Sequence, residues 1–261
     1  MEGPHIHYYA DMVRPLIGFR VINLGGERRH VVAEIKHRTL TQSLPLGKLL
    51  FLRFESDQPD QDDVFLRIHC LMFGDVRLNH TRPGKRLTLR MTFDTPATNE
   101  ALGERAKVYV YLGSTRIEPP GTDAATIADR DICLPGRPKS ETFEELRKRQ
   151  PETMVCDALM DQTWFPGLGN KIKNEVLFHS RIHPSVPLSR LSDDQMESLC
   201  KEAEKFSQYF KQQVAEHGDR VAIQFDCFRK SKCANCGEKL QHEKLGALER
   251  KTHYCPNCQR L

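Results

Sequence analysis

The sequence predicts an α+β protein with a β-rich first half, a helical second half and a small metal-binding hairpin at its C-terminus. Three observations carry this. Short runs rich in β-branched and aromatic residues, separated by turn-forming stretches, fill the chain from Val21 to about Ile117. Beyond Ser140 the apolar residues recur with a helical period. Near the end, Cys233-Ala-Asn-Cys236 and Cys255-Pro-Asn-Cys258 flank an eighteen-residue spacer, and two such knuckles bring four sulfurs to one point.

Taken in order, HIHYYADMVRPLIG places apolar side chains near Ile6, Tyr9, Met12 and Leu16 and predicts one helix. The runs HVVAEI, LLFLRF, VFLRIHCLMF, RLTLRMTF and KVYVYLG follow as strands, divided by ESDQPDQDD, NHTRPG and TPATNEALGE. Mostly antiparallel strands of this length suggest a sandwich or a barrel. Glu118-Pro119-Pro120-Gly121 opens a polar stretch to Ser140 that reads as a linker. ETFEELRKRQ, MVCDALMDQ, NKIKNEVLFHS and SDDQMESLCKEAEKFSQYFKQQVAEHG then supply helices, the last capped by Ser192 and stopped by Gly218. The expected boundaries are 1–118 for the β domain, 119–140 for the linker, 141–225 for the helical domain and 226–261 for the hairpin.

Composition narrows the class. At 261 residues, 39% hydrophobic and 28% charged, the chain is large enough for two domains and a metal appendage. No apolar block is long enough to span a membrane, and the N-terminus lacks the basic start and apolar core of a secretory signal. An intracellular, reducing location is therefore expected: nucleus in a eukaryote, cytoplasm and nucleoid in a bacterium. There the four terminal cysteines suit Zn2+ better than two disulfides, and Cys70, Cys133, Cys156, Cys200 and Cys227 are expected as buried thiols. From Asp226 to Leu261, eight Arg or Lys face four Asp or Glu, a surplus equal to the formal +4 of the whole chain. Such a module suits phosphate, although part of the charge balances the thiolates.

The segment Asp161-Gln-Thr-Trp-Phe-Pro-Gly167-Leu168-Gly169-Asn170 runs into NKIKNEVLF and then Arg181-Ile182-His183-Pro184. Two glycines permit a tight turn into a helix whose open N–H groups can hold a phosphate, or the turn is simply an elbow between helices. GLGN, the following helix, RIHP and a four-cysteine finger ending RKTHYCPNCQ together resemble the formamidopyrimidine-DNA glycosylase and endonuclease VIII family. Glu2-Gly3-Pro4 is similar to that family's Pro-Glu-Gly-Pro start, Leu46-Gly47-Lys48 to its strand lysine, and Leu66-Arg67-Ile68-His69 with Met72-Phe73-Gly74 to its central strand and turn.

The resemblance implies a β-sandwich carrying the catalytic N-terminus, a helix–two-turn–helix domain carrying a zinc hairpin, and damaged double-stranded DNA between them. It assigns phosphate contacts to Lys48, His69, Asn170 and Arg250, and the filling of the gap left by an extruded nucleotide to Met72. These match the physics of base flipping, whose cost is offset by firm backbone contacts. A monomer and one structural Zn2+ held by Cys233, Cys236, Cys255 and Cys258 complete the expectation, with no membrane partner.

One departure matters. The family's nucleophile is an N-terminal proline; here Met1 stands in its place and Glu2 keeps the position of the catalytic acid. An α-amino group titrates near about 7.7–8.0, so a useful fraction is unprotonated at neutral pH. The Met1 amine is therefore the expected nucleophile, Glu2 the acid and base, and Lys48 the reserve nucleophile. The alternative is a protein that binds damaged or abasic DNA without cutting it. A zinc-finger transcription factor fits less well, because one finger would have to read sequence alone. The Glu-Gly-Pro start favours oxidised pyrimidines and abasic sites, and Arg116 is the candidate wedge toward the opposite strand.

Overall fold

The computed structural model describes every residue except 59 and 119–128, so the first part of the expected linker lies outside the described residues. Two compact units emerge, Met1 with His5–Ala125 and Glu2–Pro4 with Thr126–Leu261.

In the first unit, Ile6, Tyr9, Ala10 and Val13 fall at i, i+3, i+4 and i+7 of helix α1 (Gly3–Val13), and all four are fully buried. Their stripe joins a core shared with β1 (Val21–Gly25), β2 (Thr39–Leu46), β3 (Leu49–Glu55), β4 (Val64–Leu78), β5 (Leu87–Phe93) and β6 (Lys107–Glu118). The strands form one antiparallel sheet in the order β1-β5-β6-β4-β3-β2. Its two edges meet, because Arg20 bridges Thr39 and Val21 exchanges hydrogen bonds with Arg38 and His37. The sandwich is thus a single sheet wrapped around its core, which leaves little free edge. In β4, Val64, Leu66, Ile68 and Cys70 point inward while Phe65, Arg67 and His69 alternate outward.

One sequence expectation changes here, and one strand lies where no expectation was placed. HVVAEI forms a turn and a 3-10 helix (Ala33–Ile35), because its buried residues, Val32 and Ile35, are three apart and no period-two face exists. TLTQSLPL, unremarked for its polar content and Pro45, is β2, at the sheet edge where a proline costs no ladder bond.

In the second unit, α2 (Ser140–Arg149), α3 (Val155–Ala158), α4 (Asn170–His179) and α5 (Asp193–His217) precede the hairpin of β7 (Gln241–Leu245) and β8 (Arg250–Tyr254). Helix α2 starts at Ser140, after Lys139 in extended conformation. The long helix α5 starts in a reciprocal capping box between Ser192 and Gln195 and ends at Gly218, φ 83°. Its stripe from Met196 through Leu199, Ala203, Phe206 and Phe210 to Val214 is buried. Helix α4 is central, with every residue from Ile172 to Phe178 buried.

The buried Glu175 carboxylate receives the backbone N–H groups of Asp226, Cys227 and Phe228 at 2.7–3.1 Å, tying the approach to the zinc module onto α4. His179 Nε2 lies 3.3 Å from Asp226 and 3.7 Å from Glu175. Glu175, by hydrogen bonding and charge, and then Asp226 raise the His179 pKa despite burial. A raised folded-state value means that this stabilisation is present below the ordinary histidine pKa and lost as pH rises through the folded one. The stability deficit of His179→Gln relative to wild type, by urea unfolding, is expected to be larger near pH 6 than near pH 9. An equal deficit at both would show that the imidazolium contributes nothing.

Candidate functional site

Lys48 occupies a two-residue turn joining β2 to β3, not a strand interior, and Gly47 before it takes φ 59°. The register pairs Leu49 with His69 of β4, placing the turn beside that histidine. Burial lowers the His69 pKa, and the charges of Arg67, Lys48 and the Met1 amine lower it further. The first unit therefore gathers the N-terminal amine, Lys48 and His69, with the Met1 side chain resting on the core. Arg67 joins this positive group, its guanidinium 2.8 Å from Glu118. Arg116 binds the same carboxylate at 2.6 and 2.9 Å, so the candidate wedge is engaged within the sheet.

Met72 is 65% exposed and Phe73 73%, with Leu71 also exposed, at a break in register between Cys70 and Asp75. Met72 is thus no part of the sandwich core. Phe73, part of the Met72-Phe73-Gly74 motif but given no role there, is exposed beside Met72, since three consecutive apolar residues before a glycine cannot share one face of a strand.

Glu2, in the second unit, is 3% exposed. Its Oε1 accepts the Lys171 N–H at 3.0 Å, in the first turn of α4, while its Oε2 is buried without a hydrogen-bond partner among the described residues. A helix N-terminus suits a carboxylate. The Gly3 N–H donates to the Gly167 carbonyl at 2.8 Å, and a Cβ on Gly3 would press on the Gly167 backbone. A Cβ on Gly169 would overlap all three atoms of the Glu2 carboxyl group. The Gly-Leu-Gly turn thus admits the Glu2 segment, and the Lys171 amide is spent on a protein carboxylate rather than left open for a phosphate. Spacing alone could not choose between these uses.

Asn170 donates from Nδ2 to the Lys251 carbonyl at 3.0 Å, leaving Oδ1 buried and unpartnered among the described residues. Arg250 is exposed at the start of β8. The hairpin does not alternate as its sequence suggests: β7 is almost wholly exposed, whereas Thr252, His253 and Tyr254 of β8 are all buried. One strand packs while the other faces solvent.

The ligand sulfurs of Cys233, Cys236, Cys255 and Cys258 lie within 4.8 Å of one another, with Cys233 to Cys258 at 3.8 Å and Cys236 to Cys255 at 3.5 Å. Tetrahedral zinc with bonds of about 2.3 Å requires sulfurs about 3.8 Å apart, so the set fits that ion. Four sulfur ligands leave no position for water. The other five cysteines are buried, as expected.

Residues 136–220 match the formamidopyrimidine-DNA glycosylase H2TH domain, and residues 230–261 the zinc finger found in FPG and IleRS. Endonuclease 8-like 3 of Bos taurus is 31% identical over 215 residues, covering 82% of this chain and 34% of that protein. The chain belongs to the formamidopyrimidine-DNA glycosylase and endonuclease VIII family. It lies on the endonuclease VIII-like side of that family, and Endonuclease 8-like 2 of Bos taurus is 24% identical over 99% of this chain and 95% of its own length. The chain spans about a third of the length of the Endonuclease 8-like 3 relatives. Among solved structures, a viral DNA glycosylase aligns with a TM-score of 0.85 at 20% identity, and a Lactococcus lactis Fpg complexed with abasic-site DNA with 0.80 at 19%, each over both chains in full. At such identities the likeness is one of fold.

Proposed function

We propose that this family member is a base-excision-repair DNA glycosylase with abasic-site lyase activity, acting on duplex DNA with oxidised pyrimidines or abasic sites. The observation that carries the reading is Glu2, anchored through one carboxylate oxygen at the α4 terminus with the other buried and unpartnered among the described residues. A carboxyl group so held can pass a proton without losing its place.

In the proposed reaction the Met1 amine attacks C1′ of the damaged nucleotide as the glycosidic bond breaks and the base leaves with a proton. Glu2 protonates the ring oxygen, which leaves C1′ as the sugar's 4′-hydroxyl while the nitrogen lone pair forms the imine between Met1 nitrogen and C1′. Removal of a C2′ proton then expels the 3′ phosphate by β-elimination, and water releases the amine. Lys48, His69, Asn170 and Arg250 contact phosphates, and Met72, exposed on its bulge, enters the gap left by the extruded nucleotide. One Zn2+ on the four cysteines holds the hairpin, and the protein acts as a monomer. No described helix is long and apolar enough to cross a membrane.

Borohydride reduction in the presence of abasic-site duplex is expected to leave a covalent adduct on the Met1 nitrogen by peptide mass spectrometry. An adduct on Lys48 moves the nucleophile to the reserve. Absence of both adduct and strand scission, with DNA still bound, identifies a lesion binder, the reading that the missing proline favours.

A further inference from the structure

The zinc hairpin is held by more than its metal. At its turn, the Asp157 carboxylate of α3 accepts the Ala247 N–H at 2.7 Å and the Leu248 N–H at 3.5 Å. Gly246, at φ 74°, makes this approach possible, because a Cβ there would overlap the carboxylate. Along β8 the grip continues from α4. Lys173 Nζ donates to Thr252 Oγ1 at 2.7 Å, and Thr252 Oγ1 donates to the Arg250 carbonyl at 2.9 Å. Asn170 holds the Lys251 carbonyl, and the His253 N–H donates to Asn174 Oδ1 at 2.6 Å.

Lys173 is only 1% exposed. Burying an ammonium group is costly, and an apolar side chain would fill the space with less penalty, so this polar choice serves geometry better than stability. The charges of Asp157, Arg250 and Glu2 all reach it, while burial brings its pKa down to about 8. Each grip is directional and fixes the backbone from the turn through the first four residues of β8, the stretch that presents the exposed Arg250.

We infer that Asp157 and Lys173 are positioning residues for Arg250, locking the hairpin turn so that its guanidinium meets a DNA backbone phosphate without first being ordered. The inference rests on the proposed phosphate role of Arg250. Preorganisation of this kind contributes to affinity by removing an ordering cost at the moment of binding.

The test uses the zinc-loaded full chain and a duplex carrying a tetrahydrofuran abasic analogue for Kd, with a cleavable abasic duplex for KM and kcat. Asp157→Asn and Lys173→Met are each expected to raise Kd and KM about tenfold, the loss that one charge-assisted hydrogen bond commonly brings, with kcat little changed. Combined with Arg250→Ala, neither should weaken binding beyond Arg250→Ala alone, since a residue acting through the arginine has nothing further to position. Amide exchange at Ala247 and Leu248 should quicken in Asp157→Asn without DNA. Additive losses in the double variants, or unchanged affinity in both single variants while Arg250→Ala weakens binding, overturn the positioning role. Wild-type affinity in Arg250→Ala overturns the phosphate role beneath it, and is distinguishable because the exchange measurement reports the grip separately.

Discussion

Gly169→Ala is expected to lower single-turnover base excision by about a hundredfold or more, as Glu2→Gln should, because loss of a positioned acid and base commonly costs that much. Gly169 sits at φ −123°, which alanine adopts without strain, so the backbone has no need of glycine. What the position cannot accommodate is the Cβ, which would displace the Glu2 carboxyl group. That group can rotate away, so global stability should change little while the proton donor leaves its place. DNA affinity should stay near wild type, separating this effect from loss of phosphate contacts. A Gly169→Ala protein with normal excision would show that the seat of Glu2 at the α4 terminus is not the working one.

Removing zinc, by chelation or by Cys255→Ser, is expected to weaken DNA binding by at least about a hundredfold, because such modules draw their folding energy from the metal and this one carries much of the basic charge. Cys255 is fully buried, and beyond the ligands the hairpin cluster holds, among the described residues, only Phe178, Cys227 and Leu240. So small an apolar core cannot order the hairpin alone. Fluorescence anisotropy with metal analysis checks this, and the slope of log affinity against log salt should become shallower in the metal-free protein. Unaltered affinity with no zinc present would mean that the grips on Asp157 and Lys173 hold the hairpin without the ion.

Much of the architecture was legible because its signals are local. Ser192 and Gly218 bound α5 through contacts within a turn of chain, and the cysteine spacing names its metal through ligand geometry. Strands β3 to β6 declared themselves by alternation and β-branching. The failures came where local signals conflict or are absent. HVVAEI has strand-like composition but no two-fold face, and TLTQSLPL is a strand because its neighbour β3 pairs with it rather than because its residues prefer one.

The candidate site divides in the same way. Its cysteines, Glu2, Lys48, His69 and Arg250 could be named from motifs, whereas the roles of Asp157 and Lys173 could not, since no pattern distinguishes a buried lysine from the solvated kind.

The sequence by itself determined most of the strands and helices, where the thiolates converge and which polar residues stand in the motifs. Only the tertiary structure decided what occupies the N-terminus of α4, for Glu2 and Lys171 lie 169 positions apart. Helix propensity acts over a few neighbouring residues, but a helix terminus takes its hydrogen-bond partner from whatever packing brings to it. The same holds for Gly169, whose purpose became visible once the Glu2 side chain that needs its missing Cβ was in place.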